Sequence, residues 1–427
     1  MICIGIILFL FTLFLKKEVI LKEEEKEPTI CFLVPARNES KVIEPLLYSI
    51  LHQTIPIIPN DIYVIVEDKG DPTVSICQKY GISVIVRKNL DKRTKGYALD
   101  EGLKNINKKY DLYFIMDADN VMEAHFVEEM LKSYRSGYDI ATGYRNVKNG
   151  NDSLISAASG LTFSFLNNVL NKGKIKRNLP VTLSGTGFYI KGDILNKMDG
   201  YPFCSLTEDY ELSLYSVLQQ YKTTYNEKAI FYDEQPVLYK NTIKQRKRWV
   251  KGYFVNRFHY LPLLKKEWKN AREVSILGEW IGIKPCILIV LGILFWLIYF
   301  MAKGDYLFIL FSILLIYFAL CFLTYIILKI DKNISLSKKR KRQMIWFHPI
   351  YLASYLHVVL LVFLHPNVKW DRVEHNRNLN IWWKSRYQIF NYNNKYLTFT
   401  IKNIDIVKYL RCIRKYQIYR YGRANSY

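Results

Sequence analysis

The sequence predicts an α/β domain on a mostly parallel sheet, joined to membrane-embedded segments. Three observations predict it. Short β-branched runs alternate with longer mixed segments between Thr29 and Val237, polar residues cluster where those runs end, and the later chain carries long apolar stretches. ICFLVP at 30–35 and DIYVIVED at 61–68 read as buried strands, with LLYSILHQ at 46–53 as the helix between them. ISVIVR at 82–87 supplies a third strand and DLYFIMDAD at 111–119 a fourth. An open sheet of this kind takes its ligands outside the carboxyl ends of its strands, where these polar clusters fall.

Half of the 427 residues are hydrophobic, and they collect at 2–15, 281–301, 306–330 and 344–364. Each of the last three is long enough to cross a hydrocarbon core of about 30 Å at about 1.5 Å per residue. Residues 2–15 lack a basic n-region and a small-residue cleavage pattern, so they read as a retained anchor. Lys16 and Lys17 behind that anchor hold the following chain in the cytoplasm. The expected organisation is an anchor at 1–15, a cytosolic α/β domain at 28–262, a membrane region at 275–365 with two or three spans, and a basic tail at 366–427. That tail carries Lys369, Arg372, Arg377, Lys384 and Arg386, and basic flanks prefer the inside. The stretch 344–364, interrupted by His348, Pro349 and His357, is therefore expected to lie in the interface or re-enter instead of crossing. The expected location is the cell membrane, multi-pass, with the α/β domain cytoplasmic.

The seven cysteines sit singly, with no disulfide or metal spacing, which fits a reduced compartment. A formal charge of +23 raises nucleic acid as a partner, but the dense basic runs at 244–251 and 338–342 lie beside apolar segments. Anionic headgroups attract such runs at about 1 kcal/mol per residue, so membrane lipids are the expected partner and nucleic acid is not.

Four motifs carry chemistry. Pro35-Ala36-Arg37-Asn38-Glu39, just past the first strand, either holds a nucleotide or opens an ordinary helix. Asp68 of Glu67-Asp68 either accepts hydrogen bonds from a base or ribose or makes a turn with Gly70 and Pro72. Asp117-Ala118-Asp119 places two carboxylates at a strand edge, where hard oxygens suit magnesium or manganese beside a diphosphate. The alternative there is a capped loop, with Asp119 or Asn120 as N-cap of the helix starting near His125. Thr207-Glu208-Asp209 either caps the helix at 210–220 through Thr207 or presents Asp209 as a general base. Ser184-Gly185-Thr186-Gly187-Phe188 offers close backbone approach to a sugar, or a tight turn. In Gln245-Arg246-Lys247-Arg248-Trp249, helical spacing puts Gln245, Arg248 and Trp249 on one face while Arg246 and Lys247 turn away. That face joins an amide, a guanidinium suited to phosphate and an indole for a sugar ring; its alternative is an interfacial helix anchored by Trp249.

Taken in order, these motifs resemble the membrane-embedded family 2 glycosyltransferases, the group of the hyaluronan, cellulose, chitin and poly-N-acetylglucosamine synthases. The resemblance runs from about Ile30 to His375. It implies a GT-A nucleotide-diphospho-sugar fold, with Pro35, Arg37, Glu39, Asp68 and Lys95 at a nucleotide that is expected to be uridine. It further implies Asp117 and Asp119 at the diphosphate, Asp119 as ligand of a magnesium or manganese ion, Asp209 as base, and Glu208, Gln245, Arg248 and Trp249 on the acceptor and diphosphate side. The implied reaction is a single inverting displacement from a UDP-hexose or UDP-N-acetylhexosamine. Glu67-Asp68-Lys69 departs from the family pattern and makes the pocket edge more charged, and Trp370 and His375 in WDRVEH match residues that follow the last span in relatives.

Three functions follow. The enzyme extends a polysaccharide through its own channel, which with so few spans would call for a homo-oligomer. It adds a single sugar to a lipid or lipid-linked acceptor. Or it is a catalytically silent membrane scaffold, which the intact Asp119, Asp209 and Trp249 disfavour. A reporter fused after Tyr427 is expected to score cytoplasmic, and an extracytoplasmic signal would overturn the proposed topology.

Overall fold

The computed structural model describes residues 27–176, 178–266, 295, 298–365 and 367. All of these fall within one compact unit, 1–378. The anchor at 2–15, most of the stretch 281–301 and nearly all of the tail at 366–427 lie outside the described residues.

Eight strands form one sheet: β1 Ile30–Pro35, β2 Ile62–Val66, β3 Ser83–Val86, β4 Leu112–Ile115, β5 Val121–Met122, β6 Ile140–Val147, β7 Phe188–Lys191 and β8 Thr223–Asp233. Their order is β3-β2-β1-β4-β7-β6-β8-β5. The half from β3 to β4 is parallel throughout, as expected. The other half is mixed, because β7 runs antiparallel to both β4 and β6 while β6 and β8 are parallel and β5 is antiparallel to β8. After β1 the chain moves outward to β2 and β3, then returns to the other side of β1 for β4. The carboxyl ends of β1 and β4 therefore flank the point where strand order reverses, the crevice that such sheets use for ligands.

Alternation along each strand builds a core on both faces. Phe32 and Val34 pack on α1 (Ile43–Leu51), α2 (Pro72–Lys79) and α4 (Phe126–Arg135), while Cys31 and Leu33 pack on the opposite side with α3 (Lys95–Lys104). The α5 helix (Leu154–Phe165) runs through a π-helical turn at Leu166–Asn171 into α6 (Lys172–Lys176). Such turns bring side chains out of helical register, and here Asn167 donates to the Arg145 carbonyl at 2.9 Å and Asn171 to that of Thr182 at 3.0 Å. Further helices among the described residues include α7 (Gly192–Lys197), α8 (Glu208–Leu218), α9 (Tyr239–Lys266), α10 (Tyr306–Ile330) and α11 (Lys338–Leu364).

Two expectations need correction. The fourth strand stops at Ile115, so the two aspartates of DAD sit on a turn beyond it. Neither Asp119 nor Asn120 caps a helix, because β5 intervenes and His125 holds the N-cap position of α4. Over 344–364, α11 is a continuous helix that passes through Pro349, and His348 is buried against Thr324 of α10 at 3.2 Å. Among the described residues, α10 and α11 are the two helices long and apolar enough to cross a membrane.

The loop joining α10 to α11 is bonded to the sheet domain. Buried Asp331 accepts from the Tyr144 hydroxyl at 2.5 Å, from the Ser164 hydroxyl, and from the backbone of Asn333 and Ile334 at 3.0 and 3.1 Å. Asn146 of β6 donates to the Asn333 carbonyl at 2.7 Å and accepts from the Ser335 amide at 3.0 Å. Leu336, Ile334 and Met344 complete an apolar seam with Val147, Ala157 and Leu161. Asp331→Ala would strand the buried Tyr144 hydroxyl and is expected to cost about 3 kcal/mol, since lost hydrogen bonds to a buried charge are worth about 1.5–3 kcal/mol each. Thermal unfolding of the detergent-solubilised protein checks it, and an unchanged midpoint would count against the seam as a stabilising contact.

Candidate active site

A cavity of about 210 Å³ opens over the strand-order reversal. Pro35, Arg37 and Glu39 line it from beyond β1, Asp117 and Asp119 from beyond β4, and Lys95 from the first turn of α3. Glu208 and Asp209 line it from the first turn of α8, and Gln245, Arg248 and Trp249 from α9. Of the residues singled out in the sequence, Asp68 stays outside this lining. It is exposed, and its carboxylate accepts the Gly70 amide at 3.0 Å, which is the turn alternative. Glu67 takes the cavity position instead, paired with Arg37 at 2.9 Å and Arg87 at 3.6 Å.

Lys95 ties the site together. Its ammonium bonds the Asp117 carboxylate, donates to the Gly185 carbonyl at 2.6 Å and lies 3.9 Å from Glu208. Burial pulls its pKa down, but Asp117 and then Glu208 outweigh that and leave it above the ordinary lysine value. The Gly185 carbonyl reaches Lys95 from a residue at φ +86°, a left-handed conformation that favours glycine.

Thr207 occupies the N-cap position of α8 but its side chain makes no capping bond. Asn256 of α9 donates to its carbonyl at 3.0 Å and to its hydroxyl at 3.1 Å. Gly252 makes that approach possible, since a Cβ there would lie 2.4 Å from the Thr207 hydroxyl oxygen. The TED turn is thus seated on α9 instead of being closed on itself. Burial raises the carboxyl of Asp209 above the usual carboxylate range, and raises Glu208 to about 7 with help from the neighbouring Asp209 charge.

Behind Asp117 and Asp119 lies a polar cluster that motif reading missed. Arg145 binds Asp233 through Nε at 2.9 Å and through Nη2, and its guanidinium stacks 3.9 Å from the centroid of the Phe163 ring. Phe163 meets Trp249 edge-on at 5.8 Å. Asn120 donates to Asp233 at 3.1 Å, and Lys148 donates to the Asp119 carbonyl at 2.9 Å. Burial carries Asp233 to about 7 despite Arg145, with Asp119 pushing the same way. Burial also lowers Lys148, against the pull of Asp119 and Glu234. Arg145 comes from β6, Lys148 from just past its end and Asp233 from the end of β8, strands whose sequence alternates like any other, so only charge at a strand end could have marked them. Gln245 adds a buried Oε1 with no hydrogen-bond partner among the described residues.

The family described as glycosyltransferase like family 2 matches residues 28–252. A probable glycosyltransferase, YdaM of Bacillus subtilis (strain 168), is 26% identical over 270 residues, covering 59% of this chain. The match spans 61% of that relative's length. Among solved structures, the mannosyltransferase PcManGT of Pyrobaculum calidifontis in complex with GDP-Man and Mn²⁺ superposes with a TM-score of 0.54 at 15% identity, over 85% of this chain and 95% of that one.

The raised Glu208 carboxyl has a consequence for stability. Its folded value near 7 lies above its ordinary 4.5, so the native state binds the proton more tightly; this contribution is full below pH 4.5 and is lost as pH rises through 7. Without metal or nucleotide, Glu208→Gln is expected to flatten the fall in thermal midpoint between pH 4.5 and 7; an unchanged slope would contradict the assignment.

Proposed function

Because the chain belongs to glycosyltransferase family 2 and has the GT-A fold, we propose that it is an inverting transferase of a sugar from a nucleotide-diphospho-sugar, with UDP-hexose or UDP-N-acetylhexosamine as the expected donor. The acceptor is a hydroxyl of a growing polysaccharide or of a lipid-linked molecule at the membrane. What supports this most is that one cavity collects the DAD aspartates, the TED carboxylates and the Gln245, Arg248 and Trp249 face from three separate stretches of chain. The apolar length of α10 and α11 supports the membrane setting.

In this reading Asp209 accepts the proton of the acceptor hydroxyl. The freed oxygen bonds to the anomeric carbon opposite the diphosphate, the bond from that carbon to the diphosphate oxygen breaks, and an α-linked donor becomes a β-glycoside with release of the nucleoside diphosphate. Burial suits Asp209 to the task, because a raised pKa makes the carboxylate a stronger base. Lys95 holds Asp117 toward the donor while its charge faces Glu208, and Arg248 presents a guanidinium to the diphosphate. Trp249 offers its indole to the acceptor sugar, and Gln245 Oε1 is an acceptor for one of its hydroxyls. Pro35, Arg37, Glu39 and Glu67 frame the nucleotide end.

The donor set fits a hard divalent cation. Asp119 would hold magnesium or manganese with Asp117 beside it, hard oxygens of the kind these ions prefer. Among the described residues no three acidic, histidine or cysteine side chains are placed to hold a metal by themselves, so diphosphate oxygens and water would complete the shell. When bound, the cation supplies positive charge against the leaving diphosphate.

Membranes carrying the protein, given labelled UDP- or GDP-sugars with manganese, are expected to form a labelled product whose size separates polymer from single-sugar lipid; no transfer from any donor would overturn the reading. Asp209→Asn should lower turnover by about a hundredfold or more, the scale of a lost general base, with manganese-dependent nucleotide binding kept. Unimpaired turnover would remove Asp209 from the role.

A further inference from the structure

The helix that carries the acceptor face has a second attachment. Arg246 is fully buried, although its neighbour Gln245 lines the cavity. Successive residues on a helix point about 100° apart, so Arg246 projects sideways into α11. Its guanidinium carbon lies 4.5 Å from the ring centroid of Tyr351, 4.6 Å from that of Tyr355 and 5.7 Å from that of Tyr239 at the start of its own helix. Nη1 donates to the Ser354 hydroxyl at 2.8 Å and to the Tyr351 carbonyl at 3.5 Å. One turn earlier, Thr242 shares a hydrogen bond with the Tyr351 hydroxyl at 3.1 Å.

Nε and Nη2 of Arg246 have no hydrogen-bond partner among the described residues. The charge is therefore held mainly by ring faces, the Ser354 and Tyr355 hydroxyls and the Tyr351 carbonyl. A buried cation on such terms is expensive to keep, and a leucine would fill the space at less cost to desolvation. What the guanidinium supplies that an apolar side chain would not is orientation: turning α9 about its axis breaks the bond to Ser354 and lifts the cation off both rings. On its neighbouring stripe α9 is held by Gly252 and Asn256 against the TED turn. The helix is thus clamped from two directions, and Arg246 is the clamp on the α11 side.

We propose that Arg246 is a positioning residue, which locks α9 to α11 and so sets the rotation at which Gln245, Arg248 and Trp249 face the cavity. Use of the acceptor then depends on the seating of α11, a helix that supplies no residue to the cavity lining. The proposal rests on the reading that this face of α9 meets the acceptor.

The test uses the full chain in membranes or detergent, with Arg246→Met, Arg246→Lys and Ser354→Ala. Acceptor is supplied as titrated heat-inactivated native membranes, and donor as the labelled nucleotide sugar that the wild type turns over. Nucleotide affinity is measured with UDP and GDP plus manganese, and folding by thermal midpoint. Arg246→Met is expected to raise the apparent acceptor KM about tenfold or more, within the hundredfold that misplacing a substrate-binding group can cost. Nucleotide affinity should fall by a smaller factor, through Arg248 alone, since a pure loss of folding would move both together. Arg246→Lys keeps a cation for the rings and should recover part of the loss, and Ser354→Ala should shift acceptor use the same way by a smaller factor. Hydrogen exchange should rise along 242–256 in Arg246→Met and stay unchanged in β1, β2 and β4. Wild-type acceptor kinetics in Arg246→Met, or acceptor and nucleotide constants falling in parallel with the folded fraction, would overturn the proposal. Trp249→Ala separates the two readings. If it raises acceptor KM while Arg246→Met does not, the positioning role fails alone. If it leaves acceptor KM unchanged, the assignment of this face to the acceptor fails.

Discussion

The site is governed by the need to keep carboxylates together in one small cavity. Glu39, Glu67, Asp117, Asp119, Glu208, Asp209, Asp233 and Glu234 all line it, against the cations Arg37, Arg87, Arg93, Lys95, Arg145 and Arg248. Burial raises these carboxyls and like charges at such spacing add to it, which is why Glu208 and Asp233 both lie near 7. Lys95 is the side chain that makes the arrangement tolerable, because it alone bridges the DAD turn, the Gly185 turn and the start of α8. The remaining excess of acid is what equips the cavity to take up a proton and to attract a cation.

That constraint explains the irregular half of the sheet. Parallel strands deliver their carboxyl ends to one edge, so β1 and β4 bring up the two turns without further devices. The antiparallel β7 enters from the same edge, which places Ser184 and Gly185 opposite Asp117. The last residue of β8, Asp233, then meets Arg145 of β6 beneath them. An all-parallel sheet would have carried the chain of β7 in from the far side, and Lys95 would have lost its third partner.

The α9 helix both lines the cavity and packs on α11. The expected basic interfacial helix is present in sequence, yet its most buried cation points at tyrosines of α11 and not at headgroups. The stretch 344–364 is a continuous helix whose buried stripe of Met344, His348, Tyr351, Val358 and Val362 recurs at three to seven residues. Pro349 does not break it, and Thr324 of α10 partners His348.

Much of the fold was legible in the chain itself. β1, β2 and β3 fall within one or two residues of their apolar runs, since a buried parallel strand writes itself as a continuous β-branched stretch. The motif order and the helical spacing of Gln245, Arg248 and Trp249 were enough to assemble most of the lining, because those signals are local. Choosing between Glu67 and Asp68 was beyond it, because β2 ends at Val66 and a one-residue shift at a strand end decides which carboxylate faces the cavity. Arg145, Asp233 and Lys148 were equally hidden, since their meaning lies in partners 29 to 88 residues away. Sequence alone thus determined which chemical groups the protein owns and the local elements that carry them. Tertiary structure decided which of those groups share a cavity and which lock α9 in place, because burial and charge pairing act across space, between residues that the chain itself keeps far apart.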